Sequence, residues 1–344
     1  VLQRVAVMCT DGITRTVNVD KSLNYPAGWM VRIDVTPEGE NVTAIENRTI
    51  SGTVSADATM LGDHKLADDV QILDTTTEGV AGTVRPSRLS GTKLNMLNVR
   101  YYTLNDNGEI DRLILNDVTG DLWKYGVLDD IRNIAANLPS TKTPATAGDS
   151  EGEGSDGTTQ VLKDLRSVLV PTTSEILWGV INGDILQTVW NKVTSSTGSL
   201  VSIGVKQLAK VVGEPYGTIL NYVGGGATYV CYVNGQLTSY TTSIKYPVLA
   251  GGLAVRQEVN GSVKAMIQLM PMKIDKVGAA SVLSGSTRYE VADNAQVYLW
   301  YKGQYYATKL AEVNSDDYYL TGWYDNFGCA AGKRVRVIVA VKKD

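Results

Sequence analysis

The sequence predicts a mainly β protein: two repeated small antiparallel β-barrel or sandwich domains with a short helical insert between them. Three observations predict it. Residue usage is skewed, with 18 Tyr and 34 Gly against one Phe and one His, among many Val and Thr, the bias of strands and turns. Short apolar runs are divided by turn dipeptides, and the N-terminal region reappears near the C-terminus.

The repeat is clearest in its second half. Leu66-Ala67-Asp68-Asp69-Val70-Gln71-Ile72 matches Val291-Ala292-Asp293-Asn294-Ala295-Gln296-Val297. Tyr101-Tyr102, a turn and Arg112-Leu113-Ile114-Leu115 match Trp323-Tyr324, a turn and Arg336-Val337-Ile338-Val339. The first halves correspond through Asp11-Gly12 and Asn234-Gly235, Tyr25-Pro26 and Tyr246-Pro247, and Val31-Arg32 and Val255-Arg256. Each copy is expected to divide into a hairpin-rich front part and a barrel-like rear part.

Within each copy, Asp11-Gly12, Asn107-Gly108, Asn234-Gly235 and Asn260-Gly261 supply the positive φ that tight hairpin turns need, so antiparallel hairpins follow. Arg334-Val335-Arg336-Val337-Ile338-Val339 begins with period-two alternation, which predicts both arginines on a wet face and the valines on a buried one. Small barrels or sandwiches manage the exposed edges that a small open sheet would present.

The middle differs in kind. Residues 139–160 are acidic, rich in Gly and Pro and poor in apolar residues, the composition of a flexible linker. After it, Ile176, Leu177, Val180, Ile181, Leu186, Val189, Trp190 and Val193 recur at spacings near three and four behind Ser174, which predicts an amphipathic helix. Leu200 to Val212, ended by Gly213 and Pro215, is a second helical stretch. The expected organisation is a β-rich repeat over 1–128, an acidic linker over 129–160, a helical insert over 161–213 and a second β-rich repeat over 214–344.

Charge and cysteine usage narrow the function. The net charge of −4 comes with scattered Lys and Arg, so no footprint for a phosphate backbone exists and no nucleic-acid partner is expected. No run approaches the length that spans a bilayer, and the most apolar stretch, Ile176 to Trp190, is interrupted by Asn182 and Asp184; membrane insertion is not expected. The chain opens on Val1 without a basic or cleavable leader, which reads as a mature or excised piece. Cys9, Cys231 and Cys329 are an odd set without C-x-x-C spacing, so buried free thiols are expected rather than a disulfide framework or a zinc site.

A family resemblance adds location. Ile50-Ser51-Gly52-Thr53-Val54, then Lys65 to Leu73, then Val99 to Leu115 set out a Gly-Thr-Val strand, an Ala-Asp-x-x-x-Ile strand, an aromatic pair, Asp-Asn-Gly and a terminal strand. This order resembles the tandem β-domains in the C-terminal regions of clostridial (Firmicutes) cell-surface proteins that also carry S-layer homology domains. Asn116 to Gly126, closing the first copy, and Arg334 to Ala340, closing the second, are most similar to that pattern. The resemblance covers both repeats and not the helical insert. It implies an extracellular place at the cell wall or S-layer and a structural or display role, and it brings no catalytic residues. The S-layer homology domain itself is not recognisable, so wall anchoring is assigned to no residue.

Each chemical motif has a plainer alternative beside it. Nucleophilic catalysis needs an imidazole, and the one histidine, His64, lies in a Gly62-Asp63-His64-Lys65 turn with no nucleophile motif near it. The acids at 128–130, 149–156 and 316–317 fall in linker-like or turn-like stretches, which suits solvated faces better than a glycosidase pair. Asn105-Asp106-Asn107-Gly108-Glu109-Ile110-Asp111 looks like a calcium loop but lacks the terminal bidentate Glu, and Asp325-Asn326-Phe327-Gly328 has no later acid; both read as hairpin turns. Gly224-Gly225-Gly226 is followed by no Lys or helix, so nucleotide binding has no support. Tyr298-Leu299-Trp300-Tyr301, Tyr305-Tyr306, Tyr318-Tyr319 and Trp323-Tyr324 suit cross-strand packing or, alternatively, a sugar-stacking platform. The expectation is a non-enzymatic spacer or assembly module of a bacterial surface, without cofactor, metal or catalytic residues. Its partners would be further copies of itself or other surface proteins. The alternative is a carbohydrate-binding or adhesin module for a wall or host glycan.

Overall fold

The computed structural model describes residues 2–20, 25–133, 175–184, 226–248 and 250–344. It divides into two units, the first made of Val1–Asn116 with Asn137–Pro215 and the second of Asp117–Ala136 with Tyr216–Asp344. Each unit contains a five-stranded front sheet and a curled rear sheet.

In the first unit, β1 (Leu2–Cys9) and β2 (Thr14–Asp20) form one hairpin, and β3 (Met30–Thr36) and β4 (Gly39–Ala44) form another. The short strands β5 (Gly52–Thr53), β6 (Met60–Leu61), β8 (Ala81–Thr83) and β9 (Lys93–Leu94) surround the long β7 (His64–Thr75) and the pair β10 (Val99–Leu104) and β11 (Ile110–Asn116). The chain then supplies β12 (Lys124–Asn133) to the second unit and β13 (Glu175–Asp184) to the first. The second unit continues with the hairpins β14 (Ala227–Val233)–β15 (Gln236–Thr242) and β16 (Gly251–Gln257)–β17 (Val263–Gln268). Its rear sheet is built from β18 (Met270–Ile274), β19 (Lys276–Val277), β20 (Ser281–Ser284), β21 (Thr287–Tyr301), β22 (Gln304–Thr308), β23 (Tyr318–Tyr324) and β24 (Val335–Lys342).

The two front sheets have one plan. The order is β2-β1-β13-β3-β4 in the first and β15-β14-β12-β16-β17 in the second: two hairpins joined edge to edge through a fifth, central strand. Alternate residues of these strands build each core, Val5, Val7, Cys9, Val17, Val31 and Ile33 in one, and Leu128, Tyr229, Cys231, Leu253, Val255 and Met266 in the other. The hairpin turns are those expected: Gly12, Asn234, Gly235 and Gly261 have φ of +85°, +50°, +78° and +87°.

The helical insert is not found. Residues 175–184, where the helix was expected to begin, form β13, and no α-helix occurs among the described residues; Pro86–Leu89 and Leu310–Glu312 are single 3-10 turns. Ile176-Leu177-Trp178-Gly179-Val180-Ile181 satisfies helical spacing, but it is also a short β-branched and aromatic run, which periodicity cannot tell from a helix. Antiparallel ladders on both sides, to β1 and to β3, decide for the strand. The acidic stretch at 139–160 and all of Leu200 to Val212 lie outside the described residues.

The rear sheets repeat with the order β10-β11-β7-β6 and β18-β23-β24-β21-β20-β19, with β8 and β22 added to β7 and β21. The Leu66–Gln71 motif and its copy Val291–Gln296 are the corner of each curl. There the register jumps, from Leu66 opposite Ile110 to Gln71 opposite Arg112, and from Val291 opposite Val335 to Gln296 opposite Val337. The β7–β11 and β21–β24 pairs are parallel, the exceptions to the antiparallel expectation, because the chain crosses over between them through further strands and a 3-10 turn.

Register also corrects the repeat alignment. Since Gln71 and Gln296 are equivalent, Arg112 corresponds to Val337 and Asp111 to Arg336, a shift of one. Tyr101 faces Ile114 and Thr321 faces Val339, so Tyr101-Tyr102 and Trp323-Tyr324 are not counterparts. Nor is β24 wet on one face. Val335, Ile338 and Ala340 join one core cluster and Val337 and Val339 another, while Arg336 between them is fully buried. The register jump at the corner breaks the period-two alternation there.

In each unit the corner glutamine ties the rear strand to the first front hairpin turn. Thr10 Oγ1 donates to Gln71 Oε1 at 2.8 Å, and Asn234 N donates to Gln296 Oε1 at 2.9 Å. Gln296 Nε2 also donates to the Tyr125 carbonyl of β12, at 2.5 Å.

Candidate functional site

The exposed chemistry of the second unit gathers on the β21–β22 hairpin and the strands beside it. Lys302 and Gly303 take φ of +49° and +80°, a tight turn that sets Trp300 opposite Tyr305. Trp300 lies beside Val341 on β24, and Val341 beside Tyr319 on β23, so Tyr305, Trp300, Val341 and Tyr319 form one row across four strands. Two residues further in, Ala307, Tyr298, Val339 and Thr321 make the next row on the same face. Tyr298 there is fully buried, with its hydroxyl 2.5 Å from Gln296 Oε1.

The outer row is the opposite: Trp300 is 41% and Tyr319 65% exposed. Lys343 Nζ lies 5.3 Å from the Tyr319 ring centre, which gives this end of the row a cationic edge. Tyr301 and Tyr306 are also about half exposed. Other rings pack against one another between elements that are not neighbours in a sheet: Tyr232 with Tyr305 at 5.3 Å, Tyr289 with Tyr324 at 5.0 Å, and Trp123 with Phe327 at 4.4 Å between centroids. The aromatic set thus divides between core and surface. A row of flat rings can stack on an apolar ligand face, but it holds no acid–base pair and no nucleophile.

A second cluster is buried and was not foreseen. Arg336 Nε donates to Asp325 Oδ1 at 2.8 Å, Nη1 to Asp121 Oδ1 at 2.6 Å and Nη2 to the Thr119 carbonyl at 2.8 Å, while the guanidinium lies 4.7 Å from the Tyr125 ring centre. Asp325, expected in a hairpin turn, is 1% exposed and also accepts the backbone N–H groups of Lys333 and Arg334. Burial works against the arginine's charge, but Tyr125, Asp325 and Asp121 more than offset it, and its pKa lies above the ordinary guanidinium range. Burial also pushes the Tyr125 phenol well up, and its hydroxyl donates to the Gly120 carbonyl at 2.6 Å. The cluster clamps Thr119 and Asp121, just ahead of β12, and Tyr125 at the start of β12 to the start of β24. Its donors and acceptors are spent on one another, which makes it a structural device. In the sequence, Arg336 continues the alternation begun by Arg334 and Val335, and Asp121 and Asp325 each stand in turn-like stretches, so nothing there marks the cluster.

The other sequence candidates separate. His64 opens β7 across a tight turn from Leu61. In the Asn105–Asp111 turn, Asn105 Oδ1 accepts the N–H groups of Asn107 and Glu109, Glu109 pairs with Lys65 at 2.7 Å, and Asp111 with Arg112 at 3.1 Å, the bonding of a hairpin turn. No group of three or more His, Cys, Asp or Glu side chains placed to hold a metal occurs among the described residues. Asp129 and Asp130 lie in strand β12 rather than a linker, whereas Asp316 and Asp317 lie in a turn where their backbone N–H groups donate to Asn314 Oδ1. None of the three cysteines is in a disulfide; Cys9 and Cys231 are buried and Cys329 is only half-buried, short of the expectation for it. An open cleft of about 520 Å³ lies between Lys276–Ala279 and Leu310–Asp316, with Lys276, Asn314, Ser315 and Asp316 as its polar side chains.

No known protein family, curated protein or solved structure matches this chain.

Proposed function

We infer that the chain is a non-enzymatic structural module of a bacterial cell surface, serving as a spacer or in surface assembly. The observation that carries this reading is the path of the chain. It leaves the first unit after Asn116, returns for residues 137–215 and leaves again, and on this path it supplies the central strand of each front sheet. A central strand is held by hydrogen-bonded ladders on both edges within its own unit, so pulling it out of its sheet means shearing two ladders at once. That construction suits a segment that spans distance under tension, and among the described residues the polar groups of the Arg336 cluster bond one another. The similarity of both repeats to the tandem β-domains of clostridial surface proteins supports an extracellular place at the wall or S-layer. The test is antibody labelling of intact cells of the source organism, before and after protease shaving. Labelling that shaving removes is the expected result; signal only after lysis overturns the location.

A second reading, a carbohydrate-binding or adhesin module, is favoured by the exposed row of Trp300 and Tyr319. Co-sedimentation with purified wall polysaccharide distinguishes the two. Binding that Trp300→Ala and Tyr319→Ala abolish, with the fold retained, replaces the spacer reading, and equal retention of wild type and variants in the supernatant supports it.

A further inference from the structure

The central strands β12 and β13 are a pair in sequence as well as in position. Tyr125-Gly126-Val127-Leu128-Asp129 matches Trp178-Gly179-Val180-Ile181-Asn182. Their registers agree residue by residue. Val127 and Leu128 face Tyr232 and Cys231 of β14; Val180 and Ile181 face Met8 and Val7 of β1, which hold the same places counted from the hairpin turn. On the other edge, Gly126 faces Leu253 and Gly179 faces Val31, so Val31 corresponds to Leu253 and not, as the sequence alignment has it, to Val255. The bulge also recurs at one place: Asp129 is skipped between Leu128 and Asp130, and Asn182 between Ile181 and Gly183. Gly126 is demanded by the slot, since a Cβ there would lie 2.6 Å from the Tyr232 carbonyl oxygen. Gly179 occupies the equivalent register position.

The two strands reach their slots from opposite directions. β12 precedes in sequence all four hairpin strands it joins, whereas β13 follows its own four and the whole rear sheet of its unit. One slot therefore accepts a strand of one pattern whatever its connection to the acceptor. Recognition rests on the ladder, the glycine and the bulge, not on chain continuity.

We propose that the slot between β1 and β3 is a strand-acceptor site, and that it takes β13 from a second copy of this chain, linking molecules by strand exchange. The ladder contacts in such an exchange are those already present, so the balance between a chain's own strand and a neighbour's is set by concentration. In sequence, β13 stands roughly 40 residues after β12 and roughly 40 residues before β14. Because each copy both offers β13 and presents a slot, exchange can be reciprocal or can propagate along a row of copies. The inference gives a partner to the assembly role proposed above, but it rests on strand register and not on cellular location.

The test uses the full chain with Met30→Cys and Val180→Cys, directly opposed positions on β3 and β13, within the reach of a disulfide. Protein with natural-abundance nitrogen and protein labelled with ¹⁵N are mixed, refolded together over a range of concentrations, oxidised, digested and analysed by mass spectrometry. Strand exchange predicts that disulfide-linked peptides from these two positions, joining one light and one heavy chain, rise with concentration towards half of the total. Linked peptides of a single isotope at every concentration overturn the proposal. Should the double variant fail to fold, the wild-type chain refolded with a labelled synthetic peptide of residues 173–186 gives the same decision: uptake of about one peptide per chain, blocked in a Val180→Pro peptide that cannot continue the ladder, is expected, and no uptake overturns it. Surface labelling of cells is independent of both readouts, so failure of the location and failure of the exchange are told apart.

Discussion

Replacing Arg336 by methionine keeps the length of the side chain and removes its charge. Arg336 and Asp325 are 0% and 1% exposed as side chains, so the substitution leaves a buried carboxylate holding only the Lys333 and Arg334 N–H groups, and it strips the Thr119 carbonyl of its guanidinium donor. Breaking a buried pair from one side costs about 3–5 kcal/mol, a large part of the ~5–15 kcal/mol that holds a domain together. The Asp121 arm differs: that side chain is 37% exposed, water can replace its partner, and Asp121→Asn should cost less than ~1 kcal/mol. Urea unfolding at neutral pH, followed by tryptophan fluorescence, measures both, with unchanged slopes required for comparison. Trp123, packed 4.4 Å from Phe327, reports on the second unit. Asp325→Leu combined with Arg336→Met should recover part of the loss, because an apolar pair leaves no stranded charge. An Arg336→Met protein within ~1 kcal/mol of wild type, or an Asp121→Asn protein equally damaged, would refute the reasoning.

Three further outcomes are expected. The Tyr125 phenol is raised by burial in the folded state, so its contribution is fully present below the ordinary tyrosine pKa of about 10 and declines above it, where the unfolded chain loses its proton first; alkaline stability curves should fall more steeply in wild type than in Tyr125→Phe, by up to about 1.4 kcal/mol per pH unit. Gly126→Ala places a methyl group 2.6 Å from the Tyr232 carbonyl oxygen and should lower stability by about 1–3 kcal/mol in urea titration, whereas an unchanged midpoint means the slot is looser than described. The Cys231 thiol is buried and pushed up to about 12, so alkylation of native protein at neutral pH should modify the half-buried Cys329 first and Cys231 only on unfolding, as read by peptide mass mapping.

Much of the architecture is legible in local signals. The turn dipeptides at Asp11-Gly12, Asn234-Gly235 and Asn260-Gly261 need a positive φ wherever they stand, and the hairpins around them follow. The Leu66–Gln71 motif and its copy mark the corner of each rear sheet because a change of register needs the same residues in both copies. The buried cluster was not legible, since Arg336, Asp325 and Asp121 are distant in sequence and each alone has the pattern of a surface charge. The exposed row had the same difficulty: Trp300 and Tyr319 differ from Tyr298 in burial, not in type.

The sequence by itself determined the class of fold, the existence of two copies and the place of most hairpins, because backbone sterics and two-residue periodicity act over a few neighbours. Only the tertiary structure decided that residues 175–184 are a strand, that β12 belongs with the second unit, that β7 and β21 each meet a parallel neighbour, and that an arginine lies in the core. The physical reason is common to all four. A segment such as Ile176 to Ile181 has no preference strong enough to choose its own state; two sheet edges with unpaired N–H and C=O groups choose for it, and those edges come from parts of the chain far away in sequence.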